Sequence, residues 1–265
     1  MSPLSPPARP SGPVPPPMTL WRLERLRLLR THRWMILFGV FALFGVLGPL
    51  TARYFNELMA RAGGEMTIIA PDPRPMDGIV QFISNVSQLG MLAVVVVSAA
   101  ALAFDSHPER AAFLRTRVAR PGRLVVAPFA VTAAATVAAL MTGTALAWAL
   151  TATLLGALPV TAMLVGTAYG ALYLTFAVAL VAAVVGFVRS QVATIFVTVG
   201  LLLTLPLMAM VDAVRPWVPS ELLLAIVGLL EGENLGAYAR ASVSAAVATV
   251  GLLVLCARRL ELREL

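Results

Sequence analysis

Six long apolar stretches without a charged residue constrain this chain more than any other feature. They occupy residues 34–52, 79–104, 124–150, 163–188, 192–211 and 241–257. Each stretch can cross a hydrocarbon core about 30 Å thick as a helix, which takes roughly 17–25 residues. Only helices and closed barrels satisfy their own backbone hydrogen bonds in that core, and these stretches lack the alternation of barrel strands. The pattern predicts an all-α membrane protein with six transmembrane helices.

The overall composition supports the same class. The chain is 59% hydrophobic and 12% charged, and its mean hydropathy is +0.87, which leaves too little polar surface for a soluble protein of 265 residues. A single cysteine, Cys256, excludes an intrachain disulfide and is expected to pack as a small apolar residue. All 20 basic residues are arginine, which is typical of a high-GC bacterium. We therefore expect a multi-pass protein of the inner (plasma) membrane.

Charge on the connecting segments predicts the topology. If the N-terminus is inside, the inner segments carry 15 arginines and five acidic residues, a net charge of +10. The outer segments carry five arginines and eight acidic residues, a net charge of −3. Because basic residues stay on the cytoplasmic side during insertion, both termini are predicted to be cytoplasmic. The arginines flank the membrane segments instead of forming one basic domain, so they favour contact with phospholipid and not with nucleic acid.

Three regions follow one another along the chain. Residues 1–18 contain eight prolines and are predicted to be a disordered cytoplasmic tail. Residues 19–33 interleave leucine with arginine and predict an interfacial elbow helix, with Thr19 as its cap. Residues 34–265 form the six-span domain.

Two outer connections of that domain have contrasting sequences. The first, residues 53–78, is rich in glycine and proline, so we expect it to be irregular. The apolar run 222–230 is too short to cross a bilayer and too apolar for a free loop. It predicts a short re-entrant or interfacial outer helix before the last span, opened by Pro219 or Ser220 and closed by Gly232.

Missing residue types exclude several mechanisms. No Asp, Glu, His, Lys or Arg lies within the six apolar stretches, which disfavours transport coupled to protons or sodium. The chain has no lysine, so it lacks a phosphate-binding loop that depends on one. We predict that the chain is not an enzyme and binds no metal or cofactor. Energy for uphill transport would then come from another polypeptide.

The inner loop between the second and third stretches carries the strongest positive signal. Ser106 and Glu109 are spaced as a capping box, and Pro108 suits the first turn of a helix. A helix over about 107–120 is predicted, ended by Pro121 and Gly122. A basic connector beside the membrane would explain the same arginines, whereas a docking helix for a cytoplasmic partner would also explain the apolar Phe113 and Leu114.

The chain resembles the permease subunit of the type-2 ABC exporter family. It has an elbow helix, six spans with both ends inside, a coupling segment between spans two and three, and an outer helix before span six. Glu109-Arg110 match the acidic-basic pair typical of the family's coupling segment. Residues 116–120, followed by 122–124, resemble the rest of it. Ala111-Ala112 replace Gly-Thr, and Arg117 stands where proline is usual.

The resemblance implies a permease that pairs with a second copy or a homologous permease. Two cytoplasmic ABC ATPase subunits would carry ATP and magnesium and would drive the permease through the coupling helix. The ATPase-coupling residues implied are Glu109, Arg110, Phe113, Leu114, Arg117 and Arg120.

Polar side chains inside the spans give candidates for a translocation path. Gln81, Asn85 and Gln88 recur at helical spacing on the second stretch and need partners away from lipid. Hydrogen bonds between helices would satisfy them, and so would a translocation path. Tyr169 and Tyr173 are further candidates on the fourth stretch. They flank a Gly166-x-x-x-Gly170 motif that favours close helix packing, within this chain more than between subunits.

Other functions remain open at this point. An ion-coupled secondary transporter, a membrane scaffold and an enzyme subunit are the alternatives to an exporter permease. The residues leave open the substrate, the transport direction, any accessory subunits and the choice between a homodimer and a heterodimer.

Overall fold

The computed structural model describes residues 20–62, 73–103 and 122–262, and within these ranges the chain is helical and contains no strand. The elements in chain order are α1 (Leu20–Arg30), α2 (Arg33–Ala62), α3 (Pro75–Asn85), a π-helix (Val86–Gly90), α4 (Met91–Leu102), α5 (Gly122–Leu154), α6 (Val160–Phe187), α7 (Gln191–Met208), α8 (Glu221–Leu230) and α9 (Ala239–Leu262). Short 3₁₀ turns at Arg215–Trp217 and Leu235–Tyr238 flank α8.

Among the described residues, six helical segments are long and apolar enough to span a membrane. Span one is the first part of α2, span two is α3, the π-helix and α4 in succession, and spans three to six are α5, α6, α7 and α9. The predicted number and order of spans are confirmed, and the chain is a multi-pass membrane protein. The predicted tail 1–18 and coupling helix 107–120 lie outside the described residues.

Span four is the central helix of the bundle. Its apolar window is 72% buried, because spans three, five and six, the α4 half of span two, and α8 all pack around it. The predicted packing of the Gly166-x-x-x-Gly170 motif within the chain is confirmed. A methyl group on Gly166 would collide with the backbone of Ile226 in α8, and one on Gly170 would lie 3.3 Å from Leu140 Cδ2 in span three. Small residues therefore set the distance between these helices.

Spans one, two and three also approach each other through glycines. A Cβ on Gly45 of span one would lie 2.5 Å from the carbonyl oxygen of Gly143 in span three. A Cβ on Gly48 would lie 2.9 Å from the backbone nitrogen of Phe82 in span two. No side chain fits at either place, so helix backbones are in direct contact.

Side-chain contacts mark the two ends of the bundle, named here the α1 end and the α8 end. At the α1 end, Arg33 Nη1 donates to the carbonyl oxygen of Ala100 at 2.7 Å, which joins the start of span one to the last turn of span two. At the α8 end, only five residues separate the end of span three at Leu154 from the start of span four at Val160. Gly156 turns the chain there with φ +128° and packs against Pro75.

The predicted short helix before the last span is present as α8. Ser220 occupies the N-cap position, and Gly232 follows the helix with φ +94°. Four apolar residues of α8 are buried: Leu222, Leu223, Ala225 and Ile226. Their burial against span four places α8 inside the bundle, alongside the first half of that span.

The prediction of an irregular connection over residues 53–78 is wrong at both of its ends. The α2 helix continues to Ala62 and α3 already begins at Pro75. Polar residues such as Glu57 allow a helix to continue beyond its apolar part, and nothing in residues 53–62 breaks it. The Asp77 carboxylate accepts a hydrogen bond from the Arg74 backbone amide at 2.7 Å, which fixes the first turn of α3.

Candidate functional site

A cavity of about 570 Å³ lies between span two and span five, with α8 and Tyr173 of span four on its remaining sides. We name it the span-two/five cavity. Its lining residues are Ser87, Gln88, Met91, Leu92, Val95, Tyr173, Val199, Leu202, Leu203, Pro206, Ala209, Met210, Arg215, Ser220, Glu221, Leu223 and Leu224. The lining is mainly apolar with a few polar groups, as is typical of sites that bind organic molecules.

The π-helix of span two contributes the polar part of the wall. Ser87 and Gln88 both belong to this five-residue element, which separates two α-helical halves of the span. Single π-turns inside α-helices occur frequently at functional sites. Ser87 donates to the carbonyl oxygen of Ser84 at 2.8 Å, whereas the Gln88 amide is exposed.

An ion pair lines the cavity beside α8. Arg215 Nε donates to Glu221 Oε2 at 3.0 Å, and the two side chains are 58% and 18% exposed. The hydrogen bond and the charge of Glu221 raise the pKa of Arg215 above its ordinary value. Because the two charges compensate each other, the residues described as lining the cavity carry no net charge together.

Two further polar groups belong to residues of the lining. The Ser220 hydroxyl is buried and has no hydrogen-bond partner among the described residues. Pro206 has no backbone N–H, so the carbonyl of Leu202, one helical turn earlier, lacks its usual intrahelical donor. A buried hydroxyl without a partner costs roughly 1–3 kcal/mol. Both groups therefore favour a hydrogen-bonding partner that the described residues do not provide.

The remaining walls are apolar. Met91 is 6% exposed and Leu202 is also 6% exposed, so these two side chains form part of the cavity floor. Tyr173 is 4% exposed, and its ring stacks on Phe176 with a centroid distance of 6.2 Å. These walls provide a rigid aromatic surface and a flexible methionine side chain, which adapts readily to different apolar shapes.

Two of the five predicted path residues line this cavity, namely Gln88 and Tyr173. Gln81 and Asn85 lie on α3, outside the cavity lining. Tyr169 also lies outside it and donates to the carbonyl oxygen of Leu235 at 3.1 Å, a contact that joins span four to the start of span six. The six predicted ATPase-coupling residues lie between 104 and 121, outside the described part of the chain.

The amide face of span two is not satisfied by neighbouring helices. Gln81 and Gln88 are exposed, Asn85 is partly buried, and none of the three makes a side-chain hydrogen bond within the described ranges. Amide groups in hydrocarbon cost several kcal/mol each when they lack partners. A surface with three such groups favours contact with water or with another protein over contact with lipid tails.

The ion pair, the Ser220 hydroxyl and the π-helix were missed by the sequence reasoning. Arg215 and Glu221 are six residues apart on an irregular segment, and no periodic pattern indicates that they meet. The available signal for the π-helix was a cluster of polar residues inside an apolar span, namely Ser84, Asn85, Ser87 and Gln88. Polar residues at such a position indicate that this part of the span has a function.

In residues 20–62, 73–103 and 122–262, no group of three or more His, Cys, Asp or Glu side chains is placed to hold a metal ion. The chain matches no protein-family model, no curated protein and no solved structure.

Proposed function

We propose that this chain is the membrane-spanning permease subunit of an ATP-driven exporter of the type-2 ABC class. It would form a translocation path together with a second permease and would draw energy from two separate cytoplasmic ATPase subunits. The chain itself would carry no catalytic residue and no cofactor.

The amide face of span two is the observation that best supports this proposal. Gln81, Asn85 and Gln88 make no side-chain hydrogen bond within the described ranges, on a helix that otherwise runs through the apolar bundle. A second permease copy placed against this face would exclude lipid and leave a water-filled path between the two subunits. A single chain does not provide such a path alone.

The order of elements is consistent with the same class. An arginine-rich helix, α1, precedes span one, and the short buried helix α8 precedes span six. On the predicted topology the α1 end faces the cytoplasm and α1 lies at the inner membrane surface. The α8 end would then face outward, and the segment 104–121 would face the ATPase.

Purification of the tagged full-length protein from its native membranes tests the proposal. We expect an ABC ATPase to copurify, and we expect ATP hydrolysis that orthovanadate inhibits. Because the chain has no lysine for a phosphate-binding loop, the subunit separated from its partner is expected to neither bind nor hydrolyse ATP. Transport that persists without ATP and stops when the proton gradient collapses would indicate an ion-coupled transporter instead.

A pair of substitutions tests the coupling segment. Buried apolar anchors lose about 2 kcal/mol or more on truncation at an interface, whereas exposed charges at its rim contribute about 0–1 kcal/mol. Phe113→Ala should therefore weaken ATPase copurification much more than Arg123→Ala, with membrane insertion of both variants unchanged. Equal copurification of both variants with the wild type would identify residues 107–120 as a connector beside the membrane.

The predicted topology is tested by cysteine labelling. In a Cys256→Ser background, a membrane-impermeant maleimide should label Glu65→Cys from outside and Ala112→Cys only after permeabilisation. The net charges of +10 and −3 on the two sides are the reason for this expectation. The reverse labelling pattern would overturn the orientation and, with it, the assignment of residues 104–121 to the ATPase side.

A further inference from the structure

We propose that the span-two/five cavity binds an uncharged, mainly apolar organic molecule that carries a hydroxyl or amide group. This inference rests on the proposed function only in regarding that molecule as the transported substrate. The binding site itself is argued from the residues of the cavity.

The size and the walls of the cavity set the general class of ligand. A volume of about 570 Å³ lies within the range of roughly 300–1,000 Å³ that is typical of sites for drug-sized molecules. Eleven of the seventeen lining residues are aliphatic, methionine or proline, so most of the ligand surface would contact hydrocarbon. Met91 and Met210 have flexible side chains that adjust to ligands of different shape.

Hydrogen-bonding groups of the lining call for a polar group on the ligand. The Gln88 amide offers both donors and an acceptor, and it makes no hydrogen bond within the described ranges. The Leu202 carbonyl lacks the usual donor because Pro206 follows it by one turn, and the buried Ser220 hydroxyl has no partner. A ligand hydroxyl or amide both donates and accepts, so it satisfies groups of each kind.

The charges of the lining favour a neutral ligand. Arg215 and Glu221 are joined by a hydrogen bond of 3.0 Å and compensate each other. No other charged side chain belongs to the described lining. An ionised ligand would find no unpaired charge in this apolar lining unless it broke the Arg215–Glu221 pair. The cost of desolvating its charge would therefore oppose binding.

A matched series of pyrene probes tests the chemical class. The full-length protein in nanodiscs is titrated with 1-pyrenebutanol, which is neutral, with 1-pyrenebutyrate, which is anionic, with 1-pyrenebutylamine, which is cationic, and with 1-butylpyrene, which has no polar group. Energy transfer from tryptophan to pyrene reports binding, and empty nanodiscs with a tryptophan peptide measure partition into lipid. We expect saturable binding with the tightest affinity for 1-pyrenebutanol. Tightest binding of the anion or the cation would overturn the proposal.

Two leucines of span five provide a matched test of the location. Leu203 and Leu207 are both 64% exposed, but only Leu203 lines the cavity. A larger side chain at Leu203 would take up part of the cavity volume that the probe needs, so Leu203→Phe should reduce the affinity for 1-pyrenebutanol about fivefold or more. Leu207→Phe should leave the affinity unchanged. Equal effects of the two substitutions would place the probe outside the cavity.

Gln88→Leu tests the polar contact without changing the size of the side chain much. Loss of one hydrogen bond should reduce the affinity for 1-pyrenebutanol about threefold to tenfold and leave the affinity for 1-butylpyrene unchanged. If the substitution acted only through the structure, the affinities for both probes would change equally. That outcome would exclude Gln88 as a ligand contact.

Glu221→Gln tests the role of charge compensation. It leaves Arg215 uncompensated, so the affinity for 1-pyrenebutyrate should increase relative to 1-pyrenebutanol. An unchanged ratio would show that the pair does not determine charge selectivity.

The two proposals fail separately. Absence of saturable probe binding in a protein that still copurifies with its ATPase would reject the cavity as a ligand site and leave the permease assignment standing. Saturable, cavity-dependent binding in a protein without an ATPase partner would reject the exporter and keep the site.

Discussion

Span four and span five differ more in their surroundings than in their composition. Their mean hydropathies are 2.2 and 1.9, yet the window of span four is 72% buried and that of span five is 17% buried. Span four contacts other helices on nearly all sides, with Gly166 and Gly170 at its closest approaches. Span five contacts mainly span four and the α4 half of span two, and its other side faces away from the bundle.

This difference separates a fixed core from a peripheral wall. Direct backbone contact of span one with spans two and three, and of span four with α8, leaves little freedom for these helices to move against each other. Span five lines the cavity and depends on fewer contacts, so its position relative to span two is the more readily altered. A protein that admits and releases a ligand between spans two and five needs one of these helices to move more readily than the rest of the bundle.

Glycine substitutions should give the largest difference between the two spans. In Gly166→Ala the added methyl group collides with the backbone of Ile226, and overpacking of this kind typically costs about 1–3 kcal/mol. In Gly200→Ala on span five the methyl group meets nothing within 4 Å, and alanine favours the helix, so stability should rise by about 0.5 kcal/mol.

Thermal unfolding of the two variants in detergent, followed by size-exclusion chromatography, measures both effects. Similar melting temperatures for Gly166→Ala and Gly200→Ala would show that span four is not packed more tightly than span five.

An intermediate effect is expected at the α1 end of the bundle. Arg33→Gln removes the charged donor to the Ala100 carbonyl and should destabilise the protein by about 1.5–3 kcal/mol if the hydrogen bond is fully lost, or less if glutamine replaces it in part. Arg30→Gln, at an exposed arginine of α1, is the matched control and should change stability by less than about 0.5 kcal/mol. Thermal unfolding distinguishes the two variants. Equal decreases in melting temperature would mean that the hydrogen bond from Arg33 does not stabilise the protein.

The smallest effect on stability is expected at the ion pair of the cavity. Arg215 is 58% exposed, and pairs at such positions contribute about 0–1 kcal/mol. Arg215→Gln should therefore leave the melting temperature almost unchanged. A decrease as large as that of Gly166→Ala would mean that the pair holds α8 in place and that the peripheral wall is as tightly fixed as the core.

Span number and order were predictable because long apolar stretches have few alternatives in a bilayer. Hydropathy alone distinguishes residues 163–188 from a loop, and Gly232 after an apolar run marks the end of α8. The extension of α2 to Ala62 was not predicted. Gly63 and Gly64 are typical turn residues, but they do not prevent the ten residues before them from being helical. Helix ends depend on local caps, which hydropathy does not report.

The cavity was only partly predictable. Gln88 was selected because an amide within an apolar span is costly without a partner, and the structure places it in the cavity wall. Tyr169 was a candidate because it flanks the Gly166-x-x-x-Gly170 motif, but its hydroxyl donates to the carbonyl oxygen of Leu235, which is distant in sequence. Sequence spacing identifies groups that need partners. It does not identify which tertiary contact supplies them, and for that reason Arg215 and Glu221 were missed.

The π-helix at Val86–Gly90 has a consequence for the rotational phase of span two. A π-turn holds one residue more than an α-turn, so it rotates all later side chains by about 100° relative to an uninterrupted α-helix. The α3 half can therefore keep Gln81 and Asn85 on one side while the α4 half directs Val94 and Ser98 into the bundle. Removing a single residue from this turn would rotate one half by about 100° relative to the other, and part of the side that is now interior would turn away from the bundle.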